Sequence, residues 1–308
     1  MNRACDLFAI LLALSAIAAQ PMPADKCIPA HVDRTIGGQL IMPSDVTVDA
    51  LGYVYVSDGV NDRIARFAPS GKLDGFLTGP ADSPLSRPLA AKMDSNGALW
   101  IADTGNNRLL VHLPDHLGYQ IIPLPAAAPD KPAVPTGLAI RSDGSRTYVV
   151  DNGNHRILIR DNSTGRWTAM GQWGISIGQF RWPFMICLTP DNYATVTESV
   201  GARIQQISPD NLWAGQISRF GVALGDLYRP KGVVADSAGR IFVSDSTLGV
   251  VEVFGSRGDL LGVLTDNSNL PLRFAHPMGM CFDGGGLLYV VELTANRVAV
   301  VHLSKPSP

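Results

Sequence analysis

Charge is scarce in this chain. Only 17% of its 308 residues are Asp, Glu, Lys or Arg, below the ~25% usual for soluble domains. Because 46% are apolar, the shortage of charge does not mean disorder: the chain can bury a sizeable core. Neither sign dominates. The net charge is −2 and the pI ≈ 6.3, which argues against attraction of the whole molecule to nucleic acid or an anionic membrane. Cysteines number four, with no CxxC among them, so neither a thioredoxin-like nor a zinc-finger motif is present. Long apolar runs are missing too. Leu7–Ala19 is 13 residues long, where a bilayer span needs about 20. It follows Arg3 and ends in the small residues Ala16, Ala18 and Ala19. That grammar predicts a signal peptide over 1–19, an exported (periplasmic or secreted) protein and no stable membrane insertion. The mature chain would keep Cys27, Cys187 and Cys281, an odd number that leaves at least one unpaired. Cys187 and Cys281 read as small core hydrophobes.

Glycine (31) and proline (22) are plentiful, as short strands joined by tight turns require. A proline followed by an apolar run recurs at Pro43, Pro88, Pro135, Pro183, Pro230 and Pro277, in steps of 45, 47, 48, 47 and 47 residues. Each copy runs through an apolar strand, an Asp- or Gly-rich turn, a β-branched second strand ending in a carboxylate, a polar loop and a third strand. A weaker fourth strand lies between copies, as in 72–77 and 259–264. Four antiparallel strands per repeat are the unit of a propeller blade. After the sixth copy no room remains for a fourth strand, whereas an orphan strand, 32–37, precedes the first. The expected fold is therefore all-β: a six-bladed β-propeller over 32–302, with four-stranded antiparallel blades and the last blade closed by the N-terminal strand. Closure abolishes the exposed sheet edge. Residues 20–31 form an N-terminal segment and 303–308 a C-terminal tail. No oligomerisation element is visible, so a monomer is expected.

The repeated pattern resembles the NHL repeat. Copies one to three carry it best, in DGVNDR (58–63), DTGNNR (103–108) and DNGNHR (151–156); GISIGQFRWP (174–183) and GVALGDLYRP (221–230) look like the family's inter-blade linkers. Copy four keeps the arginine in ESVGAR, and copy five has lost it in DSTLGV. The resemblance covers about 32–302 and speaks to fold, since one fold hosts many activities.

The pairs Asp58/Arg63, Asp103/Arg108, Asp151/Arg156, Glu198/Arg203 and Glu292/Arg297 recur with the repeat. A group present five times reads as a brace for the loop between strands two and three, held by charge-assisted hydrogen bonds; acidic ligands for a cation are the alternative. Residues the repeat does not dictate are more informative. Those flanking each proline should ring the mouth of the central channel. Arg181, Trp182, Phe184, Tyr228, Arg229, Lys231 and His276 would gather on one rim, with Arg87 across the ring. Cations among aromatics could receive an acidic protein partner or a small anionic ligand. The same residues also suit packing between neighbouring blades.

The resemblance also implies possible enzymes: lyases that hold zinc on channel histidines, and lactonase-like hydrolases. Zinc needs converging imidazoles, and no post-proline position here is histidine. His31, His112, His116 and His302 lie away from the mouth, leaving only His155 and His276. Calcium would need converging carboxylates; Glu198 and Glu292, with His276, are the weak metal candidates. No Gly-x-Ser-x-Gly elbow exists. The preferred reading is a binding or scaffold module without a cofactor. A metal-assisted lyase or lactonase-type hydrolase, with calcium or zinc in the channel, is the alternative.

Overall fold

The computed structural model describes residues 21–114 and 118–304; the segment expected as a signal peptide, His116 and the last four residues lie outside them. The described chain is all β, interrupted by short 3₁₀ turns. The first repeat sets the pattern, with strands Asp45–Val48, Val54–Asp58, Arg63–Phe67 and Leu73–Leu77 paired antiparallel in sequence order. In the other five repeats the proline is itself the first residue of the first strand. It costs the ladder least there, because its missing N–H falls at the strand end.

Turns between first and second strands are built by side chains. Asp49 Oδ1 accepts the N–H groups of Leu51 and Tyr53, each at 2.9 Å. Asp236 Oδ1 does the same for Ala238 and Arg240. The turn closes on Gly52 and Gly239, at φ +85° and +80°, where a Cβ would be strained.

Four repeats form separate four-stranded sheets, and the last two share one sheet of eight. This differs from the expected set of separate sheets, and the N-terminal strand is the reason. It begins at Cys27 rather than Val32 and runs to Gly37. Its first three residues pair in parallel with Val263–Thr265, the outer strand of repeat five. The rest, Ala30–Gly37, pairs antiparallel with Arg297–Leu303, the third strand of repeat six. One strand thus supplies the fourth strand of repeat six and ties it to repeat five.

Hydroxyl-to-carbonyl bonds join neighbouring repeats in turn: Ser44 to Leu89, Thr104 to Pro135, Thr136 to Phe184, Thr197 to Lys231, Ser244 to Met278. Gly279 N–H then donates to Ser44 O and returns to repeat one. The core lies between the sheets, on fully buried side chains such as Phe67, Tyr148, Phe180, Phe242 and Phe254. Cys187 and Cys281 are buried free thiols, and Cys27 is free and partly buried.

Candidate functional site

The second strand of every repeat ends in a buried carboxylate, and each binds the chain just before the first strand of its own repeat. Asp58 accepts the N–H of Ile41, Asp103 that of Ser86, Asp151 that of Val134, Glu198 that of Arg181 and Glu292 that of Ala275, all at 2.7–2.9 Å. Asp245 accepts two, from Tyr228 and Arg229. In five repeats the first residue of the third strand is the arginine, placed opposite the acid by the hairpin register. Its Nε donates to the carboxylate: Arg63 at 2.8 Å, Arg108 at 2.6 Å, Arg156 at 2.7 Å, Arg203 at 2.6 Å and Arg297 at 2.5 Å. The far end of the guanidinium binds linker carbonyls. Arg203 reaches Ile175 O, Ser176 O and Gln179 O; Arg63 reaches Gln39 O. One charged pair therefore fixes both the loop and the linker that enters the same repeat.

These bonds occupy the two carboxylates considered for metal. Glu198 is held by Arg203, the amide of Gln205 and the N–H of Arg181. Glu292 is held by Arg297 and the N–H of Ala275. His276 Nδ1 lies 3.1 Å from Thr294 Oγ1. Among the described residues no three His, Cys, Asp or Glu side chains gather as a metal site. His31 packs on His302, and His112 on Tyr119.

The rim residues fall into separate groups. At the ring's inner edge, Lys231 Nζ sits 4.1 Å from the centre of the Phe184 ring, a cation–π contact. Burial, then the neighbouring Arg229, lowers the Lys231 pKa to about 8, with Asp245 opposing. Trp182 packs edge-on against His155, ring centres 4.5 Å apart, and its backbone N–H donates to His155 Nδ1. Burial pushes the His155 pKa down, against the pull of Asp151. Tyr228 packs on Phe220 at 5.2 Å. Arg181 donates to Val200 O. Arg87 belongs to repeat two, on the opposite part of the ring, and its N–H donates to Asp62. Met42, Arg87, Trp182 and His276 all adopt positive φ, between 46° and 56°. That region is unfavourable for any L-residue and more so before proline. Met42, Arg87 and Trp182 are held there by side chains of the preceding repeat.

The geometry adds residues that the sequence reading did not single out. Arg181 shares a groove of about 220 Å³ with Arg219, Phe220 and Ile175. Phe220 is 64% exposed, Ile175 69% and the adjoining Trp182 46%. A signal for Phe220 existed: Trp173, 64% exposed, stands 47 residues earlier (220 − 173) at the same linker position. Asp45 is also new. It is buried, with Lys92 Nζ 3.0 Å away and the N–H of Ala91 donating to it. Burial pushes the Asp45 pKa up, and Lys92 opposes that shift.

No family model matches the chain. In sequence it is 27% identical to the human E3 ubiquitin-protein ligase NHLRC1 over 197 residues, 58% of this chain and 48% of that protein; it thus spans about half that relative's length. In structure it is similar to streptogramin B lyase (TM-score 0.66, 16% identity, 89% of this chain and 98% of that one). It is also similar to a gluconolactonase of Xanthomonas campestris (TM-score 0.68, 16% identity, 92% and 99%) and to an auxiliary nutrient binding protein of Bacteroides ovatus (TM-score 0.67, 14% identity, 90% and 78%). At such identities the likeness is one of fold. The shared fold is a β-propeller, and the repeated motif and the sequence likeness support a resemblance to the NHL repeat.

Proposed function

We propose that the chain is a six-bladed propeller exported to the periplasm or cell exterior. It acts as a monomeric binding module, without a cofactor, for a protein partner or a small anionic ligand. One observation carries the reading. The face bearing the pre-proline loops exposes Ile175, Trp182 and Phe220 beside Arg181 and Arg219. Soluble monomers seldom leave aromatic and aliphatic side chains grouped beside arginine without a partner. Lys231 and Arg229, at the inner edge of the same face, extend the positive field towards the channel. The NHL-type relative and the nutrient-binding neighbour are consistent with recognition of a protein or a ligand.

The test is capture from the exported fraction by the wild type and by Trp182→Ala and Arg229→Ala, with thermal denaturation as the folding control. Capture of a partner by the wild type, lost in either variant, supports the assignment; equal capture by all three moves the site elsewhere. A second reading, a metal-assisted lyase or lactonase-type hydrolase, rests on the fold neighbours. Glu198, Glu292 and His276 would have to leave their present hydrogen bonds to serve it. One equivalent of zinc or calcium in protein purified without added metal would favour that reading.

A further inference from the structure

Repeat five has the acid of the brace without its arginine. Val250 stands where repeat four has Arg203, 47 residues earlier, and pairs with Asp245 in the same hairpin register. The surrounding parts persist. Asp226 N–H donates to Ala223 O just as Gln179 N–H donates to Ser176 O. The linker of repeat four offers the carbonyls of Ile175, Ser176 and Gln179 to the guanidinium; their counterparts at the same spacing are Val222, Ala223 and Asp226. In place of the guanidinium lies a cavity of about 50 Å³, walled by Val222, Ala223, Leu224, Leu248 and Val250, with Glu252 and Arg273 as its charged lining. That is room for a group of a few heavy atoms.

Glu252 is the second observation. It stands where repeat four has Gln205. Gln205 is satisfied at both ends: its Oε1 accepts from Gly178 and its Nε2 donates to Glu198. Glu252 keeps the backbone bond, now from Gly225. Its other oxygen, Oε2, is buried with no hydrogen-bond partner, in a residue only 3% exposed. A buried carboxylate oxygen without a partner is costly. Asp245 does not need a cation of its own, since the four N–H groups of Tyr228, Arg229, Thr247 and Leu248 satisfy it.

We propose that this cavity, at the place where the other repeats hold their own arginine, binds a guanidinium group supplied by a second molecule, with Glu252 rather than the second-strand acid as its carboxylate. The planar donor fork of a guanidinium matches a carboxylate flanked by linker carbonyls, as Arg203 demonstrates one repeat earlier. In the empty site, burial above all, then Asp245, raises the Glu252 pKa to about 8, with the Gly225 N–H opposing and Asp226 adding to the rise. The charged groups facing it are Asp245 on its hairpin, Asp226 in the linker and Arg273, whose guanidinium is directed to Leu248 O. Binding of the cation expels the carboxyl proton, so affinity rises with pH up to about 8 and then levels.

The test is thermal unfolding and calorimetry with methylguanidine and with a blocked glycyl-arginyl-glycine peptide, against equal sodium chloride. The wild type should gain about 2 °C at ten times the Kd, with the response stronger at pH 8 than at pH 6. Glu252→Gln, which copies repeat four, should stay folded and lose the response. Val250→Arg should fill the cavity from within, raise the Tm without ligand and abolish the response. A peptide preferred tenfold over methylguanidine identifies an arginyl side chain of a polypeptide as the occupant; the reverse identifies a free small cation. No response in the wild type, or an equal response in wild type and Glu252→Gln, overturns the site.

Discussion

Repeats four and five share a linker, a first-strand proline and a buried acid, yet they solve the same electrostatic problem in opposite ways. In repeat four, Glu198 is neutralised by Arg203, which also binds three linker carbonyls. In repeat five, Asp245 collects four backbone N–H groups and no arginine. Asp245 caps the loop itself, through the N–H groups of Thr247 and Leu248, where Asp58, Asp103 and Asp151 of the first three repeats accept their arginines. Backbone donors cost no side-chain entropy to fix, so the brace survives the loss of its cation. What changes is the space the arginine vacates. A charged pair closes that space in repeat four; in repeat five it is left lined by Glu252.

The comparison breaks most sharply at Arg203. Replacing it with Ala leaves Glu198, which is fully buried, without its cation, and removing one partner of a buried pair costs about 3–5 kcal/mol. Chemical denaturation should show that loss. Val250→Ala, at the same position in repeat five, removes only apolar atoms and should cost about 1–2 kcal/mol. Equal losses at the two positions would mean that the arginine is not the brace.

The next effect is on pH dependence. Glu252 has a folded pKa raised to about 8 from an ordinary 4.5, so the folded state holds more protons between those values. Its contribution is fully present below about 4.5 and is lost as pH rises towards 8, at up to about 1.4 kcal/mol per pH unit. Glu252→Gln should remove that slope, leaving the variant the more stable protein at pH 8. Parallel stability curves for the two proteins would sink the claim. A smaller effect is expected at Arg297→Ala. Its side chain is 46% exposed, where that of Arg203 is 9% exposed. Solvent can replace its charge, and the cost should stay near 1 kcal/mol.

Much of this was legible in the sequence. Spacing of the prolines located the first strands, because a residue without an N–H is tolerated at a strand end: it opens the strand in five repeats and stands two residues before it in the first. Spacing of acid and arginine located the brace, because a hairpin register puts their positions opposite each other. Two things were not legible. The sharing of one sheet by repeats five and six depends on Cys27–Pro29 running parallel to Val263–Thr265, a tertiary pairing without a local signature. The rim cluster was read as one group, and side-chain direction divides it: Trp182 turns to His155, Tyr228 to Phe220, and Lys231 to Phe184. The loss of the arginine in copy five was visible from the start. Its meaning depended on Glu252, two residues along the same strand, whose burial no periodicity shows.

The smallest effect is also the most specific to the rim. Lys231 has a pKa lowered to about 8, first by burial and then by Arg229. If an anion is received at the inner edge of the ring, its affinity should fall as pH rises through 8, because the ammonium that attracts it is lost there. Lys231→Arg keeps its charge at every accessible pH and can still lie over Phe184. Binding by that variant should therefore be level across pH 7–9, with little change in stability. A short acidic peptide, titrated against both proteins at pH 7 and pH 9, separates the possibilities. If the wild type weakens and the variant does not, Lys231 belongs to the binding surface. If both weaken together, the titrating group lies elsewhere, and Lys231 serves the packing between repeats four and five, as its contact with Phe184 would then require.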